Sequence, residues 1–508
     1  MVSSTVFVVA QFALAALVAH VIYQCYFHPL ARYPGPFLAR FTNLCALTNL
    51  PTQRRLFTFF GGRHHLSEQH LHEKYGHVVR VAPNWLSFSD LQDFDAIYSF
   101  NKSVEKDDFY LFGHPRDNRV PSVFALKTDA NHRQRKRKVV GPALTSAKIT
   151  RYESVITKHV DLFLTRTDAA SSSRQDGEMA AVNLAPLSHR FTMDVMLELI
   201  YGPDVVSHPY TDSPTGADMC SVMRKLVKMA WSFSLCPSYG WIMNSRLISA
   251  VLRTLTTSKQ GGPTGMMALM TSSHTMIFRR PEQVGLPAQP GIVRSWLDIP
   301  LDDSSRMTQD EVFSEAVNLV FAGPGSVAAA LTAMIYQLGT QEGQIWQEKL
   351  RKETDVETLP FSLELQAVVK ETLRHCASFP TAFPRVIRPG AETVVSTLPA
   401  PLPVGTMVSA NTYVLGRSRK IWGSDADQWL PQRWLGDESL RREMEAKLVA
   451  FSKGSRSCVG KELAWLVLAK AIIAIIRRWK FVSVGELRGK SYLEMQYEDC
   501  WIEYEELA

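Results

Sequence analysis

No two of the seven cysteines, at 25, 45, 220, 236, 376, 458 and 500, form a CxxC pair, and their number is odd. That argues against a disulfide framework and a structural zinc site, and suits a reducing compartment with at least one free thiol. No flavin or dinucleotide fingerprint occurs, so electrons for redox chemistry must come from another protein. No internal repeat is present, and no long flexible linker follows Tyr33. A strong charge of one sign is missing too. Net +7 over 508 residues permits contact with anionic lipid or an acidic protein, but implies no nucleic acid.

Val6 to Tyr23 is nearly all apolar, broken only by Gln11 and His20. That is just long enough to cross a bilayer as a helix. No Lys or Arg precedes it, whereas Arg32 and Arg40 follow, which places the downstream chain on the cytosolic side. A cleaved secretory signal would want a basic start and a small-residue cleavage site, and neither is present. The expectation is a membrane anchor over residues 1–28 and one catalytic unit over residues 29–508. Tyr33-Pro34-Gly35-Pro36 makes a stiff elbow between them. The Asn101-Lys102-Ser103 sequon then stays unglycosylated.

Most of the rest has helical spacing. His77 to Phe88 alternates around Asn84 as a short hairpin, and Val394 to Val414 suggests short strands. Leu184 to Ile200 reads as a helix that stops at Gly202-Pro203. Ala169 to Glu178 reads as a polar loop. Eight of the 17 methionines fall within residues 219–276, either an adaptable apolar surface or ordinary core filling. The class is mostly α with small β-sheets, α+β.

The densest chemical signal is Phe451-Ser452-Lys453-Gly454-Ser455-Arg456-Ser457-Cys458-Val459-Gly460. Gly454 and Gly460 free the backbone for close approach, and Arg456 offers a fixed cation. The apolar helix expected from Val459 to Trp479 puts Cys458 at its amino end, where the dipole favours a thiolate. The loop matches Phe-x-x-Gly-x-Arg-x-Cys-x-Gly at every fixed position, and here the chain resembles the cytochrome P450 family. The resemblance runs from Tyr33 to the last residues. It implies a cytochrome P450-like fold and a haem whose iron Cys458 binds, with Phe451, Arg456 and Gly460 among the haem contacts.

Further positions are carried over from that resemblance. Glu371-x-x-Arg374 on a helix from Leu363 to His375, with Arg433 of Pro431-Gln432-Arg433-Trp434, matches the buried triad that braces the haem loop. Arg385, after Phe383-Pro384, matches an arginine that reaches a haem propionate. The basic run Arg133-Gln134-Arg135-Lys136-Arg137-Lys138 takes the place of the family's Trp-x-x-x-Arg helix. Anchoring on Pro142 to Thr145 selects Arg137, with Arg133 in the Trp place; counting from His132 selects Lys136. The first register is preferred. The remaining cations suit either solvent or an acidic redox partner.

Thr308-x-x-Glu311 is a capping box that opens a long helix, apolar from Val312 through Leu338. Ala322-Gly323-Pro324-Gly325-Ser326 lies near its middle. In the family this segment carries an acid and a hydroxyl that pass protons to the oxygen being activated. Gly323 and Ser326 match, but Gly325 stands where the acid belongs, and Pro324 is expected to bend the helix. Either water replaces the acid, or the chemistry is altered.

The resemblance implies a haem-thiolate monooxygenase using O2 and an NADPH-dependent reductase, anchored in the endoplasmic reticulum. Fungal members are the nearest in pattern, which suggests a lipophilic intermediate of secondary metabolism with a terpenoid, polyketide or alkaloid skeleton. A desaturase, isomerase or dehydratase without net oxygen insertion is the alternative, as is a non-catalytic haem-binding paralogue.

Overall fold

The computed structural model describes residues 2–42, 62–100, 104–113, 120–172, 181–202, 219–234, 245, 274, 277, 291–352 and 361–507. The sequon at Asn101, Pro203 and most of the methionine-rich stretch lie outside them.

A buried helix, α8 (Gln309–Gly339), runs through the middle of the protein. Its start is dictated locally. Thr308 accepts from the Glu311 N–H, and the Glu311 carboxylate accepts from the Thr308 N–H. Among the described residues α8 is long and apolar enough to cross a membrane, yet 78% of its apolar window is buried in protein; the apolar stretch Gln11–Phe27 at the amino end is shorter than 18 residues. It serves as the core around which the other helices pack. It contacts α6 (Leu184–Tyr201), α10 (Leu363–His375) and α12 (Lys461–Arg478). The other described helices of eight residues or more are α1 (Val2–Ile22), α2 (His64–Tyr75), α3 (Leu91–Tyr98), α4 (Asp129–Ala143), α5 (Glu153–Ser172), α7 (Met219–Ser234), α9 (Gln344–Lys352) and α11 (Glu438–Lys447).

Five strands form one sheet in the order β1-β2-β6-β5-β3. β1 (Val78–Ala82) and β2 (Trp85–Phe88) make the hairpin expected around Asn84. β6 (Met407–Ala410) pairs with β2 in parallel, and β5 (Arg385–Ile387) pairs antiparallel with β6 and with β3 (Val104–Lys106). That last register sets Lys106 directly opposite Arg385. A second sheet, β4-β8-β7, joins β4 (Val182–Asn183) to a long hairpin of β7 (Trp479–Ser491) and β8 (Met495–Glu506). The tip of this hairpin, Tyr492-Leu493-Glu494, is buried against the core.

The secondary structure differs from the sequence reading in three places. Ala169 to Ser172 continue α5 instead of opening a loop, and Asp168 beside them is held by Arg478 at 2.7 Å. Residues 173–178 of that expected loop are outside the described range. Within Val394–Val414 only Met407–Ala410 is a strand. Prolines 399, 401 and 403 remove ladder donors before it, and Asn411 caps a short helix after it. Residues 459–460 precede α12, with Gly460 as its N-cap. α8 is helical on both sides of Pro324, whose carbonyl accepts from Thr192 Oγ of α6 at 2.9 Å.

Candidate active site

The cysteine loop is a tight backbone structure. The Cys458 N–H donates to Phe451 O at 2.9 Å, and Ser457 N–H donates to Gly454 O at 3.2 Å. Gly454 has φ +69°, and a Cβ there would come within 2.6 Å of the Ser99 carbonyl carbon. Only glycine satisfies both demands. At Gly460 a Cβ meets nothing, because that face opens on the cavity above the loop. Cys458 is exposed to the cavity, yet the protein surrounding it pushes its thiol up, while the Gly460 and Lys461 N–H groups at the start of α12 and the Lys136 charge pull it back. A cation at the sulfur is what would tip it to thiolate.

Behind the loop, Glu371 and Arg374 lie in α10 three residues apart and so share a face. Both are buried and form a two-pronged pair, with Arg374 Nε to Glu371 Oε2 at 2.8 Å and Nη2 to Oε1 at 2.7 Å. Arg433 Nε donates to Glu371 Oε1 at 3.0 Å, and Trp434 Nε1 donates to Oε2 at 2.9 Å. Despite its burial, the Glu371 carboxyl is held below the usual range by Arg374 and Arg433. Arg374 also donates to the carbonyls of Gly416, Ala426 and Gln428. The three expected triad residues thus meet and tie four segments together.

A cavity of about 280 Å³ opens between Cys458 and α8. One end of it is crowded with cations. Arg385 donates to Tyr110 OH and lies over the Tyr98 ring at 5.0 Å. Lys106, opposite it in the sheet, donates to Val123 O at 3.0 Å and Phe124 O at 2.8 Å. Arg456 reaches the carbonyls of Val104 and Lys127, leaving its buried Nε without a hydrogen-bond partner. His132 Nε2 is buried and unpartnered as well. Burial, then the Arg385 and Arg456 charges, hold Lys106 well below the ordinary lysine range.

Arg133 and Arg137 do not join this group. Both lie on the exposed face of α4, and Arg133 pairs with Asp129 at 3.1 Å. Helical periodicity puts the other register inward. His132 faces the cavity, and Lys136, four residues on, donates to Ser455 O, Ser457 O and Ser457 Oγ of the cysteine loop. The His132–Lys136 spacing was legible; the choice between registers was not. Arg135 turns to α8 and bridges Glu311 at 2.6 Å and Glu315 at 3.0 Å. Lys106 was missed altogether, since its role depends on a strand partner far away in the chain.

Across the cavity, Gly323 and Ser326 of α8 line the wall opposite Cys458. Ser326 Oγ donates to Ala322 O at 2.8 Å and Gly323 O at 3.1 Å. A Cβ on Gly323 would meet Met196 Cε of α6 at 2.6 Å, so its smallness also serves helix packing. Phe379, Phe383, Leu493 and Met196 supply apolar surface.

These residues fit a haem. The cysteine can face a metal, Gly460 leaves clearance for a flat ring, and the cations, with Arg456 Nε and His132 Nε2 lacking hydrogen-bond partners, answer two carboxylates. Comparison with known proteins agrees. The sequence model of the Cytochrome P450 family matches residues 44–491. Cytochrome P450 monooxygenase cicH of Emericella nidulans is 28% identical over 494 residues, covering 92% of this chain and 91% of its own. Cytochrome P450 monooxygenase pkfB of the same species is 26% identical, covering 94% and 91%. Cytochrome P450 monooxygenase poxC of Penicillium oxalicum is 27% identical, covering 96% and 90%. A match over most of the chain and a site of this chemistry lead to one statement: the chain belongs to the cytochrome P450 family, a haem-thiolate monooxygenase.

Proposed function

We propose that this monooxygenase oxidises a lipophilic small molecule, an intermediate of fungal secondary metabolism with a terpenoid, polyketide or alkaloid skeleton. It uses O2 and electrons from an NADPH-dependent reductase. The carrying observation is the mostly apolar chamber between Cys458 and Ser326. When bound, the haem with its thiolate supplies the oxidising chemistry. The chain's residues do the rest. Lys106, His132, Arg385 and Arg456 hold the propionate end. Phe379, Leu493 and Met196 keep the chamber dry and grip an apolar substrate. Ser326 can turn its hydroxyl from Ala322 O to pass a proton.

Residues 1–28 are read as a single-pass anchor in the endoplasmic reticulum, with residues 29–508 in the cytosol. In support, α1 is 21 residues long, about 31 Å as a helix, and leaves Phe7, Phe12 and Leu14 exposed. Apolar side chains on that surface would find their partner in lipid.

Cys458→Ser tests the site. The reduced carbon monoxide complex should lose its thiolate-type spectrum, and an unchanged spectrum would remove Cys458 as the ligand. Labelled O2 tests the reaction. Label in the product supports monooxygenation, while product without label favours a desaturase, isomerase or dehydratase, the reading that Gly325 suggests. A strain lacking the gene, compared with its parent by metabolite profile, identifies the substrate.

A further inference from the structure

Gly325 stands where the family carries an acid, but the space an acid would fill is not empty. A Cβ built on Gly325 would run into Oε1, Cδ and Oε2 of Glu494. This carboxyl group comes from the buried tip of the β7–β8 hairpin, and Glu494 is 4% exposed. The tip is pinned on both sides. Ser491 N–H donates to Gly62 O at 2.7 Å, and Met495 N–H donates to Ser378 O at 2.8 Å. A turn of this kind ordinarily sits in solvent. Burial is the largest influence on the Glu494 carboxyl, and no cation is among the groups that act on it.

A second observation concerns water. Besides the main chamber there is a cavity of about 20 Å³, room for about one water molecule. It lies on the far side of Gly325 and is lined by His189, Arg224, Gln496 and Tyr497. Glu494 is the one described residue that lines both spaces. Its carboxyl therefore sits between the chamber that holds Ser326 and a polar water site.

We propose that Glu494 replaces the missing acid of α8: its carboxyl gives a proton toward Ser326 and the chamber, and takes one back through the small water site. The net reaction, RH + O2 + two electrons + two protons to ROH + H2O, needs protons inside an apolar chamber. The redox partner supplies the electrons, and Glu494 returns to its protonated form each cycle. The inference rests on the oxygen-activating role of α8. Burial pushes the Glu494 carboxyl up to about 8, so the proton is present at neutral pH. The titratable groups around it are His189 of α6, Arg224 and Lys228 of α7, the latter over the Tyr492 ring, and Tyr497 of β8.

The test uses the haem-loaded full chain with NADPH and a microsomal NADPH-dependent reductase, and no substrate. Reducing O2 to hydrogen peroxide consumes one NADPH, and reducing it to water consumes two, so the NADPH-to-O2 ratio reports proton delivery. Glu494→Gln should move the ratio toward peroxide and slow water formation by about 10²-fold. The double variant Glu494→Ala with Gly325→Asp, which returns the carboxyl to the helix, should recover most of it. In wild type, water formation should fall as pH rises through about 8, and Glu494→Gln should lack that limb. A readout independent of turnover is the infrared band of a protonated carboxyl at pH 7, present in wild type and lost in Glu494→Gln. The thiolate-type carbon monoxide spectrum should persist in both variants, which separates failure of the relay from failure of the haem site. An unchanged ratio, an unchanged infrared spectrum, or weaker binding of an amine probe with the ratio intact would each overturn the proposal, the last in favour of a substrate anchor.

Discussion

Lys106 and Arg385 are held opposite each other by the register of β3 and β5, although like charges across strands repel. Burial makes the repulsion worse, and Arg456 adds to it. Asp129, 3.9 Å from Arg456 Nε, answers part of this charge, and haem carboxylates would answer the rest. A prediction follows that separates structure from binding. Lys106→Met should stabilise the haem-free protein and, at the same time, speed haem loss by about tenfold to a hundredfold, the value of a charge-assisted bond. Arg137→Ala should change neither, because Arg137 points to solvent. Thermal unfolding of the haem-free protein and haem transfer to apomyoglobin measure the two effects. If Arg137→Ala loses haem faster than Lys106→Met, Arg137 and not the His132–Lys136 face of α4 meets the haem.

Arg135 clamps α4 to α8 at the level of whole elements. Its partner Glu315 is fully buried, and burial raises that carboxyl to about 7 even with Arg135 beside it. Removing the arginine takes away the cation paired with this buried acid and leaves only the Val123 N–H and the Lys106 charge to favour its ionised form. Arg135→Ala should cost about 3–5 kcal/mol. The loss should grow with pH, because a carboxyl whose folded-state pKa lies above its unfolded value loses stability as pH rises from about 4.5 upward. Replacing both residues by apolar ones should recover most of the loss. Urea unfolding at pH 6 and pH 8 measures all three. Such a clamp was hidden in the sequence, where Arg135 is one of five cations in a run of six residues. What was legible is local. Thr308 and Glu311 are three residues apart, Glu371 and Arg374 share one helical face, and Gly454 and Cys458 sit in one short loop. Strand register and hairpin placement depend on distant partners, so Lys106 opposite Arg385 and Glu494 beside Gly325 could not be read.

At the scale of the molecule, the question is how an apolar helix is joined to the catalytic body. The join is not a free hinge. Arg80 of β1, 1% exposed, donates from Nη2 to Gln24 Oε1 at 2.8 Å and from Nη1 to Gln24 O at 3.2 Å. Arg80 N–H donates to Pro34 O at 2.7 Å, and a Cβ on Gly35 would strike the Arg80 carbonyl. The elbow therefore seats on β1, and the segment just after α1 is part of the folded body. Two truncations should behave differently. Removing residues 2–22 should release the protein from membranes and leave its carbon monoxide spectrum and unfolding temperature unchanged. Removing residues 2–27 also takes Gln24, leaving the Arg80 guanidinium without two of its acceptors in a buried setting. That form should be less stable by about 1–3 kcal/mol, the cost of unmet buried hydrogen bonds. Vesicle flotation and thermal unfolding read the two steps. Equal stability of both forms would mean that the Gln24–Arg80 contact does not brace the body, and that the anchor meets it only at Tyr33 to Pro36.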